Sequence, residues 1–300
     1  MTRSIIVALA VAVLGRTQDV ESIASMIQSG KYAEARELAM VRLQTERSPG
    51  EKARLPYLSG TAANVLGHFA EAQKALNSAV EICETLQNEE VLMAEILVSI
   101  GSTVVELGAP AEAERPLLRA RRLIDQVTRV DYPYHATIAG ALGYVYWNSS
   151  QLTKAEAEDG RAAAVAEKAF GSGNYITARH LSSLGTFLAG TGRGAEAIPL
   201  MERCVPTLQG QFGSTHHETI RALHGLGMAK SKEDTRGAEA LLQLALKQWL
   251  AAYPEMHPST AYLLQAIGES RFAQNDAKGA VEPMRRPIAI ARVFYGSSSR

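Results

Sequence analysis

Imidazole nitrogens bind metals and move protons, so His216, His217 and His257, with His135 upstream, are the first residues to weigh for chemistry. A metal site needs three or four such ligands converging on one point. A second candidate is Gly190-Thr-Gly192-Arg-Gly194, a glycine-rich run of the kind that cradles phosphate. Such a loop follows a strand and starts a helix, so that backbone N–H groups face the anion. The metalloprotease HExxH, phosphate-binding GxxxxGK and nucleophile-elbow GxSxG patterns do not occur in the sequence. Cys83 and Cys204 stand 121 residues apart.

The elements that must position these residues are set by a repeat. Gly60, Gly101, Gly143, Gly185, Gly227 and Gly268 are separated by 41, 42, 42, 42 and 41 residues. Ala72, Ala113, Ala155, Ala197, Ala238 and Ala280 follow their glycines by 12, or by 11 in the case of Ala238. Seven residues after each glycine stand Gly67, Gly108, Ser150, Gly192, Asp234 and Asn275, all types that accept turn geometry cheaply. Apolar residues precede the glycines by one and four, as in Leu97 and Ile100 or Leu181 and Leu184, which places them on one helical face. Each period therefore reads as helix, tight turn, helix, and a period of this length means stacked units instead of one globular core. A glycine inside a helix costs roughly 0.5–1 kcal/mol relative to alanine. The expected compensation is close approach of the second helix, with the laddered alanine as its small counterpart.

The pattern resembles the tetratricopeptide repeat (TPR), in its 42-residue kinesin-light-chain-like variety. Leu181-Ser-Ser-Leu-Gly185, Thr191-Gly-Arg-Gly-Ala-Glu-Ala197-Ile-Pro199 and Phe212-Gly213 carry the resemblance best. Phe170-Gly171 and His257-Pro258-Ser259-Thr260 occupy matching connector places. The resemblance implies an all-α, right-handed solenoid of about seven helix-turn-helix units, near 18–45, 53–87, 91–128, 134–169, 176–211, 217–252 and 259–295. Of the aromatic that the family often places three after the glycine, only Tyr146 remains. Pro206 and Pro287 fall inside second helices, which they should bend or end. The first unit, built on Gly30 and Ala35, is shortened.

Alignment of the units changes the meaning of the first candidates. His216 and His257 share a connector position with Tyr132 and Asn174, and His217 shares its slot with Pro133, Tyr175 and Pro258. A turn that starts the next helix explains them better than a metal site, and no cofactor is expected. The glycine-rich run is the turn between two helices, with no strand before it. The two cysteines lie in second helices three units apart, beyond the reach of a disulfide, so two buried free thiols are expected. The formal charge is zero, from 31 basic and 31 acidic side chains, which argues against nucleic acid as the main partner. The cluster Arg115, Arg119, Arg121 and Arg122 reads as a solvated outer face.

Residues 1–15 stand outside the array: Arg3 precedes an apolar run from Ile5 to Leu14, too short to span a bilayer but suited to a signal-peptide core. Val13 and Gly15 would be the small cleavage positions, leaving a mature chain from about Arg16 and a periplasmic or secreted protein without stable membrane insertion. The alternative, a buried first helix, implies a cytoplasmic one. Residues 297–300 form a short C-terminal tail.

The resemblance implies a groove lined by first helices that holds an extended or helical protein segment. Positions six and three before each glycine and one and four after it form one stripe, offset from the packing face. From it the candidate binding residues are Arg54, Tyr57, Asn64, Tyr144, Trp147, Arg179, Arg221, His224, Tyr262, Gln265 and Phe272, with Asn148 beside Trp147. Aromatics and arginines are enriched at interface positions that matter energetically, and the arginines favour an acidic ligand. The leading expectation is thus a non-enzymatic interaction scaffold. The alternative is a structural or self-assembly module whose last unit exposes apolar surface to another copy or a partner domain. Trp147 and Tyr144 also admit a bland reading, as packing between neighbouring units.

Overall fold

The computed structural model describes residues 20–46, 48–127 and 133–295. The proposed leader (1–15) and tail (297–300) lie outside the described residues. Among those described there are fourteen helices and no strand. Helix α1 covers residues 20–28. It is followed by α2 (Tyr32–Leu43), α3 (Pro49–Val65), α4 (Phe69–Cys83), α5 (Glu90–Glu106), α6 (Pro110–Val127) and α7 (Pro133–Asn148). Then come α8 (Leu152–Phe170), α9 (Tyr175–Gly190), α10 (Gly194–Phe212), α11 (His217–Lys230), α12 (Thr235–Ala252), α13 (Pro258–Ala273) and α14 (Ala277–Tyr295). Consecutive helices pack as seven hairpins, and each hairpin packs on the next.

The turn inside each hairpin is made where the sequence places it. Gly30, Gly67, Gly108, Ser150, Gly192 and Asn275 all take positive φ, between 59° and 83°. Asp234 does not. Its unit is one residue short, and Asp234 instead caps α12 by accepting a hydrogen bond from the Gly237 N–H, 2.9 Å away. The connectors between hairpins also behave as the alignment implies. Asn174, His216 and His257 each cap the following helix through a side-chain acceptor, Oδ1 for Asn174 and Nδ1 for the two histidines.

The repeated glycines do something different from matching small with small. A Cβ on Gly101 would stand 2.8 Å from the Leu117 side chain, and one on Gly60 2.7 Å from that of Leu76. The large residue four after the laddered alanine fills the space that five of the six glycines leave: Leu76, Leu117, Met201, Leu242 and Met284. The alanines are themselves buried and let the two helices close on one another. Pro206 and Pro287 end neither helix. In α10 the buried face formed by Met201, Cys204 and Leu208 straddles Pro206 and holds both halves docked. Cys83 and Cys204 are buried free thiols.

First helices touch one another from unit to unit, α3 with α5, α5 with α7, α7 with α9 and α9 with α11, whereas second helices make no comparable contacts. The inner path is the shorter one, so the array curves with its first helices on the concave side. The curve closes. Tyr32 in unit one lies 3.0 Å from His216 Nε2 and 2.8 Å from His217 Nδ1 in unit six, and its ring packs beside Tyr253. Phe69 in unit two packs beside His257 and Phe294 in unit seven. One apolar cluster joins Ile23, Ala39 and Leu58 to Ile220, Trp249 and Leu263.

Candidate functional site

Each stripe residue meets a distinct surrounding in the folded chain. Arg54 is exposed, 3.9 Å from Glu89. Tyr57 is half-buried, and burial raises its hydroxyl above the ordinary phenol value, to a degree limited by hydrogen bonds from Ser99 and Thr61. Asn64 Oδ1 is buried without a hydrogen-bond partner among the described residues. Tyr144 is exposed, and its hydroxyl donates to Glu106 on the neighbouring first helix. Asn148 donates to the Tyr144 carbonyl one turn back, 2.8 Å away.

Trp147 is a seam residue. Its ring meets Phe187 edge-on, 5.1 Å between centroids, and lies where a Cβ on Gly190 would be. It joins units four and five, so its bland reading holds.

The arginines gather around a carboxylate the stripe did not contain. Glu218, buried at the start of α11, has Arg179 Nε 2.9 Å from one oxygen and Arg221 Nη2 2.6 Å from the other. His217 Nε2 lies 3.6 Å away. Burial alone would raise the Glu218 carboxyl; the two guanidinium groups outweigh it and hold the group well below the ordinary carboxylate range. Burial keeps the neighbouring histidines neutral, with His217 lowered to about 3 and His224 to about 4. The groove also carries Glu95, which accepts from Tyr134 Oη at 2.8 Å, and burial raises both Glu95 and Glu106. Glu95, Glu106, Glu218 and Glu269 therefore face Arg54, Arg179 and Arg221. The expectation of an acidic ligand rested on free arginines, and Arg179 and Arg221 already share Glu218.

In unit seven the stripe is open to solvent. Tyr262 and Phe272 are exposed, and Gln265 Nε2 donates to Glu269 at 2.9 Å. Further apolar exposure lies on α14, where Val281, Ile288 and Val293 face solvent and Met284, packed against Gly268, is exposed in part. On the outer face, Arg119 pairs with Glu84 at 2.9 Å and Arg121 with Glu158 at 2.7 Å, linking second helices of adjacent units. Among the described residues, no three His, Cys, Asp or Glu side chains converge in a geometry that would hold a metal ion. No described helix is long and apolar enough to cross a membrane.

Sequence reasoning missed Glu218, Glu106, Asp159 and His180. Glu218 sits beside the stripe; its i,i+3 pairing with Arg221 on α11 was a readable signal, whereas Arg179 reaches it from the adjacent first helix α9. Asp159 gave one too: it holds the place that Leu76, Leu117, Met201, Leu242 and Met284 hold elsewhere.

Comparison with known proteins agrees with this architecture. Residues 176–251, which cover units five and six, match the tetratricopeptide repeat family. No curated protein matches the sequence. The nearly identical TPR-like repeats of a kinesin-light-chain protein from Podosopora anserina share 18% identity and a TM-score of 0.51, over 69% of this chain and 98% of that one. A Rap protein complexed with Competence and Sporulation Factor shares 13% identity and a TM-score of 0.72, over 91% of this chain and 74% of that one. The Rap conjugation gene regulator of the plasmid pLS20, in complex with the Phr* peptide, shares 13% identity and a TM-score of 0.73, over 92% and 73% of the two chains. At these identities the likeness concerns the fold alone. With its glycine and alanine ladders, seven stacked hairpins and a family match over two of them, this chain has the fold of a tetratricopeptide repeat array and carries that repeat in units five and six.

Proposed function

We propose that the chain is a non-enzymatic interaction scaffold whose concave groove holds an extended or helical segment of another protein. The observation that carries this reading is the inner wall itself: first helices line it, and it presents Arg54, Tyr144 and Tyr262, whose side chains are exposed instead of packed between helices. The two Rap proteins of similar fold were solved with a bound factor or peptide, which supports a binding role for an array of this shape. The preference for an acidic segment is not retained, because the groove carboxylates match or exceed its uncommitted cations. Export through residues 1–15 is part of the proposal, and the mass of the mature N-terminus checks it. The test of the binding role is capture of partners from the source cells by wild type and by Tyr144→Ala/Tyr262→Ala. A partner held by the wild type and lost by a variant of unchanged helical circular dichroism supports the groove. Equal capture by both moves the contact off the inner wall.

A second reading, self-assembly through the last unit, is favoured by the exposed Val281 and Ile288 on α14. Their spacing of seven places them on one face. Light scattering decides: a mass that rises with concentration and returns to the monomer in Val281→Lys/Ile288→Lys supports it, and a monomer at every concentration removes it.

A further inference from the structure

Two core positions break the repeat at the junction of units four and five. Five residues before the glycine, the other units carry Leu55, Ile96, Ile138, Ala222 and Leu263; unit five carries His180. Four residues after the laddered alanine, the other full units carry leucine or methionine; unit four carries Asp159. Both side chains lie against one face of α7. A Cβ on Gly143 would overlap the Asp159 carboxyl, and one on Gly140 would stand 3.1 Å from His180 Nδ1. Each residue keeps only 5% of its surface exposed. Asp159 makes no hydrogen bond or ion pair with any described residue, and His180 Nε2 has no partner among them. Burying a carboxyl without a partner is costly, and the chain could have kept an aliphatic residue there, as it does elsewhere. Local rules broken in this way are expected where a site needs them broken.

The wall in front of this pair is thin. Three residues before the glycine, the groove stripe carries Tyr57, Val98, Ser182, His224 and Gln265 in other units, and only unit four has glycine there. A side chain at 140 would run into the His180 ring and toward Ala162, so Gly140 leaves space beside that ring which no other unit has. The pair also feels the groove's charges: Arg221 acts on Asp159, and Arg179, Glu218 and Arg221 act on His180. The two arginines are held by Glu218, so neither occupies the gap. The Asp159 carboxyl, once ionised beside a cation, and the unprotonated nitrogen of the neutral His180 ring are acceptors, and an ammonium or guanidinium group supplies the donors and charge they lack.

We propose that the segment bound in the groove presents a lysine or arginine side chain at unit four, received by the Asp159 carboxyl and the His180 ring behind Gly140. This rests on the groove-binding reading and adds the chemistry of one ligand position to it. The test is a positional library of immobilised decapeptides in which single positions carry Lys, Arg, norleucine or Glu. It is probed with wild type, Asp159→Leu and Asp159→Asn, each checked for folding by circular dichroism. The expected result is retention of Lys or Arg peptides about tenfold above their norleucine counterparts by wild type, falling below about twofold in both variants. The asparagine variant preserves shape, so it separates lost charge from altered packing. Peptides retained by wild type with no preference for a cation overturn this inference and leave the groove reading standing. The same preference kept by both variants places the cation elsewhere and also overturns it. If wild type retains no peptide at all, both readings fall together.

Discussion

At the scale of single residues, the groove is governed by its carboxylates and the partners they hold. Glu218→Gln removes the charge that Arg179 and Arg221 share. Those arginines keep 39% and 45% of their side chains exposed and can rehydrate in part. The expected loss is about 2–3 kcal/mol at pH 7, read by chemical denaturation. Because the folded Glu218 carboxyl is depressed, its contribution is present above the ordinary carboxylate value of about 4.3 and lost as pH falls toward the folded one. The variant should therefore differ least from wild type in acid. Asp159 has the opposite sign. Burial pushes it up to about 7, against a weaker lowering by Arg221, so the folded state holds a proton that the unfolded chain has released. Between about pH 4 and 7 this costs wild type stability, and Asp159→Leu removes the cost. The stability gap in favour of the variant should widen by on the order of 3–4 kcal/mol across that window and stay constant above it. A gap independent of pH would show that Asp159 titrates normally.

At the scale of elements, sequence and structure agree wherever a position does the same local job in every unit. The turn glycines, the capping Asn174, His216 and His257, and the glycine ladder were all legible because each repeats a backbone requirement. The partner of the ladder glycine was not. The alanine was the visible counterpart, yet the contact belongs to the residue one turn later, since only packing decides which side chain points into the gap. Gly101→Ala would set a Cβ 2.8 Å from Leu117 and should destabilise by about 1–3 kcal/mol. Gly210 is also helical, is exposed and has nothing within 4 Å of its would-be Cβ. Gly210→Ala should stabilise by about 0.5–1 kcal/mol. Thermal melts of the two variants shifting in the same direction would contradict the packing role of the ladder.

At the scale of the whole molecule, the array is closed by contacts between residues 184 positions apart. His216 Nδ1 accepts the capping N–H of Glu218, so its neutral ring carries hydrogen on Nε2 and donates to Tyr32 Oη, which in turn donates to His217 Nδ1. The His217 N–H donates to Tyr253 Oη at 2.9 Å. Tyr32→Phe breaks this chain at its centre and should cost about 1 kcal/mol. Tyr32→Ala also empties a buried ring site, at about 3–5 kcal/mol, and should release α1 and α2 from unit six. Faster amide exchange confined to those helices, with a larger radius of gyration by small-angle scattering, is the expected signature. Burial lowers His216, takes His217 to about 3 and His257 to about 4. Their contribution is complete above about pH 6.5 and lost as pH falls through the folded values. Energy transfer between labels on units one and six should accordingly drop on acidification, and a transfer efficiency flat to pH 4 would exclude the clasp histidines from holding the ring.

By itself the sequence determined the repeat, the hairpin within each period, the turns and caps, the burial of both thiols and the likeness to tetratricopeptide repeats. These follow from local backbone geometry and helical periodicity, which each unit states independently and the neighbouring units repeat. The tertiary structure alone decided that Trp147 serves a seam, that Glu218 claims Arg179 and Arg221, and that the two ends of the array meet. It also showed that Asp159 and His180 share one face of α7. The meeting of the ends depends on small rotations between units adding up along the chain, and the others on contacts across one helix face or between adjacent units, which no single unit's local pattern states.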